Sequence, residues 1–250
     1  MDTHASALLS RLLAVTFAVT VSAFALAGPA MAAGAKGSYT ETLLSNELDT
    51  SRWAFVSKRV SAFSRPGERG RKLRTLTRHT PDRTSELVLT LRERIYSDGT
   101  VWTEARLPMR SQATGWIRRS ALDKYRVVHS RIEIDRGQRT AKLFKNEQVV
   151  WSAPIAIGRS GHTTPAGNFY VRNRLASTDK NGRFGPFAIG LSAYARTATD
   201  WPGHKTVGIH GTNKPKQVPG TSSDPCVHVT NDQIRALFKL APPGIPVKIL

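Results

Sequence analysis

Along residues Glu86–Tyr96, Leu87, Leu89 and Leu91 occupy one parity and Val88, Thr90 and Arg92 the other, a period-two pattern that predicts a strand. Ser97–Gly99 is a turn signal, and Thr100–Pro108 alternates again. Thr114–Tyr125 opens on a Gly-Trp pair, so Trp53–Tyr125 reads as short strands at close spacing, the pattern of a small β-barrel or sandwich. From Arg131 the chain predicts strand, turn, strand, turn, strand, with turns at Arg136-Gly137 and Lys145–Glu147. Further strands are expected at Gly167–Leu175, Lys205–Gly211, Cys226–Val229 and the closing segment Pro246–Leu250. One helix stands out: Thr230 and Gln233 have capping-box spacing, Ile234, Leu237 and Phe238 share a face, and Pro242–Gly244 ends it. Ala32–Ser51 is small and polar and reads as a flexible leader with a short helix near Thr42–Leu48. The fold class is therefore mostly β with one C-terminal helix.

The N-terminus changes the picture of where the protein works. Arg11 precedes an unbroken apolar and small run, Leu12–Ala27, and Ala30-Met31-Ala32 has the small-x-small form of a cleavage site. The expected organisation is a signal peptide at 1–32, a leader at 33–51, a basic domain at 52–127 and a second domain at 128–250. The mature protein is then secreted, to the cell wall or periplasm, with membrane contact only through the signal segment. The 250 residues carry 37 Lys/Arg against 18 Asp/Glu, a net charge of +19, which implies an anionic partner. Export argues against nucleic acid and toward the anionic wall and its acidic peptides. Between Arg52 and Arg131 there are 19 Lys/Arg against 7 Asp/Glu, so the basic surface lies mostly upstream of the candidate chemistry and reads as an attachment surface.

That chemistry sits at Cys226, the one cysteine of the chain. It has no partner for an intrachain disulfide, and three readings stand side by side: a nucleophile, a metal ligand or a small buried apolar group. A thiol attacks as thiolate and needs a base, an orienting partner for that base and N–H donors for the oxyanion. His210 ends the strand Lys205–Gly211, Gly211 allows a tight turn beside its ring, and a Pro/Gly/Ser-rich loop leads to Cys226. A zinc site built from Cys226, His210 and His228 lacks any CxxC or HxxxH spacing, so no metal and no cofactor is expected. His162 and His204 read as loop or rim residues, and His228 is open between a structural and a functional role.

The stretch "VGIHGTN" with the downstream "SDPCV" resembles the catalytic signature of the L,D-transpeptidases, β-rich cysteine enzymes of bacterial cell-wall assembly. "IAIGRSGHTTPAGNFYV" and "GPFAIGLSAY" are similar to further family stretches in the same order, and the resemblance covers Arg131–Leu250. The upstream "GTVWTEARLPMRSQATGWIRRSAL" resembles a bacterial SH3-like β-barrel. The resemblance implies Cys226 as nucleophile, His210 as its base, the Gly211 carbonyl orienting the ring, and backbone N–H groups around Cys226 as oxyanion hole. It implies substrate contacts from Ser223, Asp224, His228, Tyr194 and Thr164. It further implies transfer of peptidoglycan stem peptides through a thioester to form 3→3 cross-links, or hydrolysis as an L,D-carboxypeptidase, and thiol acylation by carbapenems. The chain departs from the family where Ser-His-Gly-Cys is usual: it has Ser223-Asp224-Pro225-Cys226, with His228 where Arg or Asn is common. Pro225 has no N–H to donate. On that ground a weakly active or inactive wall-binding protein is the alternative.

Overall fold

The computed structural model describes residues 31–32, 38–197, 199, 201 and 205–250. The expected signal core and His204 lie outside the described residues. Among those described, no helix is long and apolar enough to cross a membrane.

The strands among the described residues form two sheets. The first contains β1 (Met31–Ala32), β2 (Tyr39–Leu43), β3 (Ser51–Phe55), β4 (Val60–Phe63), β5 (Lys72–Leu76), β6 (Leu87–Tyr96), β7 (Val101–Arg106), β8 (Thr114–Arg118) and β9 (Arg126–Val128). Its main path runs β1-β2-β6-β7-β8-β4-β5, with β3 pairing both β6 and β9. The second contains β10 (Ser130–Asp135), β11 (Thr140–Lys145), β12 (Gln148–Pro154), β13 (Ala156–Gly158), β14 (Gly167–Ala176), β15 (Phe187–Tyr194), β16 (Thr206–His210), β17 (Gly220–Ser222), β18 (Val227–His228) and β19 (Pro246–Ile249). Its order is β12-β11-β10-β19-β14-β15-β16-β18-β13-β17. The helix α1 (Asn231–Leu240) packs on β15 and β16, burying Ile234 and Leu237. Its N-cap is Thr230, whose hydroxyl accepts the Gln233 N–H at 3.4 Å.

The expected leader is a correction. Tyr39–Leu43 is a strand paired antiparallel with β6, and no helix forms at Thr42–Leu48. Contacts distant in sequence decide this. Tyr39 packs on Tyr96 with ring centroids 5.3 Å apart, and Glu41 pairs with Arg92 at 3.3 Å and Arg94 at 2.6 Å across the strands. Such cross-strand pairs outweigh the weak helical preference of a short polar segment.

Alternation on β3 and β6 serves two cores at once. Ala54 and Val88 point into a small core with Val56, Leu76, Leu107 and Ile117. Trp53, Leu87 and Leu89, of the opposite parity, enter the large core that also holds Ile132, Ile189, Ile209 and Val247. Polar contacts complete the junction: Tyr170 donates to the Leu87 carbonyl at 3.0 Å, and Arg172 grips Glu86 with two guanidinium nitrogens, its Nε at 2.8 Å. The basic region is thus built into the flank of the second sheet through a shared core.

Candidate active site

β16 and β18 lie side by side, parallel and in register, with Ile209 opposite Val227 and His210 opposite His228. Residues opposite each other share a face, so the two imidazoles meet with centroids 4.4 Å apart. Side chains two apart along a strand return to the same face, which brings Cys226 to the side of His228. The thiol is fully buried, and its Sγ accepts the Gly208 N–H of β16 at 3.4 Å. The reactive atoms of Cys226, His210 and Asp224 lie within 4.8 Å of one another. A thiol, an imidazole and a carboxylate at that spacing can serve acyl transfer, and they are also a donor set that could hold a metal ion.

His210 is oriented by its own turn. Its Nδ1 stands 2.7 Å from the Gly211 carbonyl. A carbonyl only accepts, so Nδ1 carries the proton and Nε2 keeps its lone pair. That Nε2 is buried and has no hydrogen-bond partner. Burial, with the adjacent His228 adding to it, pushes the imidazole down to about 3. The His228 ring is also shifted down, by burial, and its Nε2 is likewise buried without a partner. Both rings are neutral at pH 7.

The loop before Cys226 is locked by local bonds. Ser222 Oγ donates to the Asp224 carbonyl at 2.7 Å and accepts the Asp224 N–H at 3.2 Å. Asp224 turns its carboxylate inward, where Oδ1 accepts the Cys226 N–H at 2.7 Å. The backbone donor expected to face an oxyanion is therefore engaged, and Pro225 adds none. Burial pushes the thiol well above its usual range, and the Asp224 carboxylate beside it pushes in the same direction. The resting pair is a neutral thiol beside a neutral imidazole, rather than a thiolate–imidazolium pair.

A cavity of about 500 Å³ opens over this cluster, lined in part by Arg159, Arg183, Phe184, Lys214, Asp224 and His228. His210 and the exposed Ser223 also border it, whereas the thiol lies below its floor. Two of the expected substrate contacts are elsewhere. Thr164 is buried, taking the Gly158 N–H at 3.0 Å and donating to the Pro225 carbonyl at 2.7 Å, so it braces the back of the loop. Tyr194 accepts from Arg172 at 2.9 Å and from Arg74 at 3.4 Å in the junction between the sheets. Both line a different cavity, of about 570 Å³. His162 sits half-buried in the turn after β13. Sequence reasoning missed Ser222, which shapes the loop, and Phe184, whose ring meets His210 edge-on at 5.0 Å. An aromatic after "NGR" carries no periodic signal, so only the folded chain could reveal it.

Residues 129–249 match the family model of the L,D-transpeptidase catalytic domain. The chain is 31% identical over 127 residues to the putative L,D-transpeptidase YkuD of Bacillus subtilis, covering 51% of this chain and 69% of that one. It is 30% identical over 119 residues to the putative L,D-transpeptidase YkuD of Bacillus licheniformis, covering 48% and 64%. Among solved structures, the catalytic domain of an L,D-transpeptidase from Enterococcus faecium aligns at 26% identity with a TM-score of 0.36, over 48% of this chain and 96% of that one.

Proposed function

The chain belongs to the L,D-transpeptidase family, and from that premise we propose that it is an exported enzyme that cross-links peptidoglycan stem peptides through Cys226. The observation that supports this reading is the His210 ring. Its Nδ1 is tied to the Gly211 carbonyl, and its unpartnered Nε2 is left as base in the same cluster as the thiol.

In this mechanism Nε2 of His210 takes the thiol proton as Sγ of Cys226 attacks the carbonyl of the third stem residue. The tetrahedral oxyanion then collapses, the bond to D-Ala breaks, and the departing amine receives the proton from His210. A thioester remains on Cys226. An amine of a second stem attacks it, gives its proton to Nε2, and displaces the thiolate, which takes that proton back. The product is a 3→3 cross-link. Attack by water instead makes the enzyme an L,D-carboxypeptidase. No metal or cofactor enters these steps. Arg159, Arg183 and Lys214 around the cavity suit a substrate that carries carboxylates. The basic region 52–127 serves as the attachment module to the anionic wall, and residues 1–32 as the export signal.

Attack requires the Cys226 N–H to exchange the Asp224 carboxylate for the oxyanion. That engaged donor, with the absent one at Pro225, favours the second reading, a weakly active or inactive wall-binding protein. The deciding experiment incubates the full chain and Cys226→Ala with purified tetrapeptide stems and follows D-Ala and stem dimers by mass spectrometry. Cysteine-dependent dimers are expected. D-Ala loss without dimers moves the assignment to carboxypeptidase, and no turnover from folded wild type moves it to the wall-binding reading.

A further inference from the structure

β16 has no side chain at Gly208, and the indole of Trp201 occupies that space. A Cβ on Gly208 would fall 2.4 Å from the Trp201 ring, and one on Gly190 of β15 would fall 2.9 Å from it. The ring therefore lies directly against the backbone whose N–H meets the thiol and which carries His210 two residues on. Trp201 also meets Phe184 edge-on at 6.4 Å, and Phe184 in turn meets His210 at 5.0 Å. One buried indole thus touches both supports of the candidate catalytic pair.

What holds that indole comes from the other sheet region. Its N–H donates to Asp82 Oδ2 at 3.0 Å, and the same oxygen accepts from Asn173 Nδ2 of β14 at 2.7 Å. Asp82 sits in the turn between β5 and β6. That turn closes through its own backbone, with Thr80 N–H to the Thr84 carbonyl at 2.8 Å and Arg83 N–H to the Thr80 carbonyl at 3.0 Å. The turn does not need the carboxylate to form. The carboxylate instead reaches across the junction as a charged acceptor, which makes a stronger and more directional bond than a neutral one.

We propose that Asp82 is a positioning residue for the Cys226–His210 pair, acting from the basic region through the Trp201 indole. The basic region then completes the active site as well as attaching the enzyme to its anionic surroundings. The proposal rests on the reading of Cys226 as nucleophile. Losing the anchor lets the ring shift against Gly208 and Phe184, and displacements of an ångström at a reacting pair cost about tenfold to hundredfold in rate.

The test uses the full chain with Asp82→Ala, Trp201→Phe, which keeps a ring and removes the N–H, and the double variant. Three quantities are followed: kcat and KM for cysteine-dependent D-Ala release, the pH profile of Cys226 alkylation by a small thiol reagent, and Tm. Each single variant is expected to lower kcat about tenfold or more with KM changed less than about twofold, and to shift the alkylation midpoint. The double variant is expected to match a single one, because both remove the same bond. Multiplied losses in the double variant, or a lowered Tm with kcat and alkylation midpoint unchanged, overturn the proposal. Alkylation does not need turnover, so an unshifted midpoint refutes the positioning role even where the stem assay is silent. A silent wild type with a shifted midpoint refutes the enzymatic reading alone.

Discussion

Two buried polar clusters, the Glu86–Arg172 pair and the Cys226–His210 site, treat their groups in opposite ways. At the junction of the sheets, Glu86 and Arg172 are 96–97% covered, and Arg172 also donates to Tyr194. At the 500 Å³ cavity, Cys226 and His210 are just as deep and His228 is half-buried, yet Nε2 of each histidine is covered and has no partner. A buried polar group normally finds a hydrogen bond, because leaving it unmade costs about 1–3 kcal/mol. The paired region holds the two sheets in place. The unpaired one keeps a lone pair available beside a thiol, which is what a general base requires. Depth of burial alone does not decide a group's role: unpartnered buried atoms also occur away from the thiol, at Arg74 Nε and Asn173 Oδ1, so what marks the cavity cluster is an unpartnered imidazole nitrogen beside a thiol.

The comparison breaks first at the paired end. Glu86→Ala leaves the Arg172 charge buried and uncompensated, and should cost about 3–5 kcal/mol in a denaturant titration. Replacing both members, Glu86→Leu with Arg172→Met, should recover most of that loss. A loss below 1 kcal/mol for Glu86→Ala would show that the pair is not the anchor of the junction.

The unpaired end is sharpened by acid. The His210 imidazole titrates at about 3 in the folded chain against 6.5 unfolded. As pH falls through 6.5 the unfolded chain takes up the proton and the folded chain does not, so stability falls with pH until about pH 3, below which the loss is complete. The slope is about 1.4 kcal/mol per pH unit for one group. Relative to its own value at pH 7.5, wild type should lose about 1.4 kcal/mol more by pH 5.5 than His210→Gln does, read by chemical denaturation at both pH values. Parallel curves for the two proteins would contradict the buried neutral ring. His228, shifted in the same direction, contributes equally to both curves to first order.

The smallest effect probes the carboxylate that divides the two behaviours. Asp224→Asn keeps an acceptor for the Cys226 N–H and removes the charge beside the thiol. The midpoint for Cys226 alkylation should fall by about one pH unit, a tenfold gain in thiolate at neutral pH. An unmoved midpoint would assign the raised thiol to burial alone.

Much of the architecture was legible from period-two patterning. β6, β7 and β8 lie where the alternation of Glu86–Tyr96, Thr100–Pro108 and Thr114–Tyr125 places them, and Thr230 caps the helix its spacing announces. The polar run at Ala32–Ser51 misled, because β2 is made by Tyr96, Arg92 and Arg94, more than 45 residues away. The site divides in the same manner. Cys226, His210 and Gly211, singled out by one motif, do meet in one cluster, since the strands that carry the thiol and the imidazole pair side by side. Thr164 and Tyr194, assigned by resemblance to two other family stretches, lie outside the cavity over that cluster, because one is spent on the Pro225 carbonyl and the other on two arginines at the junction.

By itself the sequence determined which faces are apolar, where turns and caps fall, and which residue types could perform acyl transfer. These are local properties, set by side-chain period and chemistry within a few residues. Tertiary structure decided that the ring of Phe184 meets that of His210. It also decided that alternate faces of β3 and β6 build two cores, and that Asp82 reaches Trp201 across 119 residues. Those outcomes depend on which distant surfaces meet, and register and packing fix that only when the whole chain closes on itself.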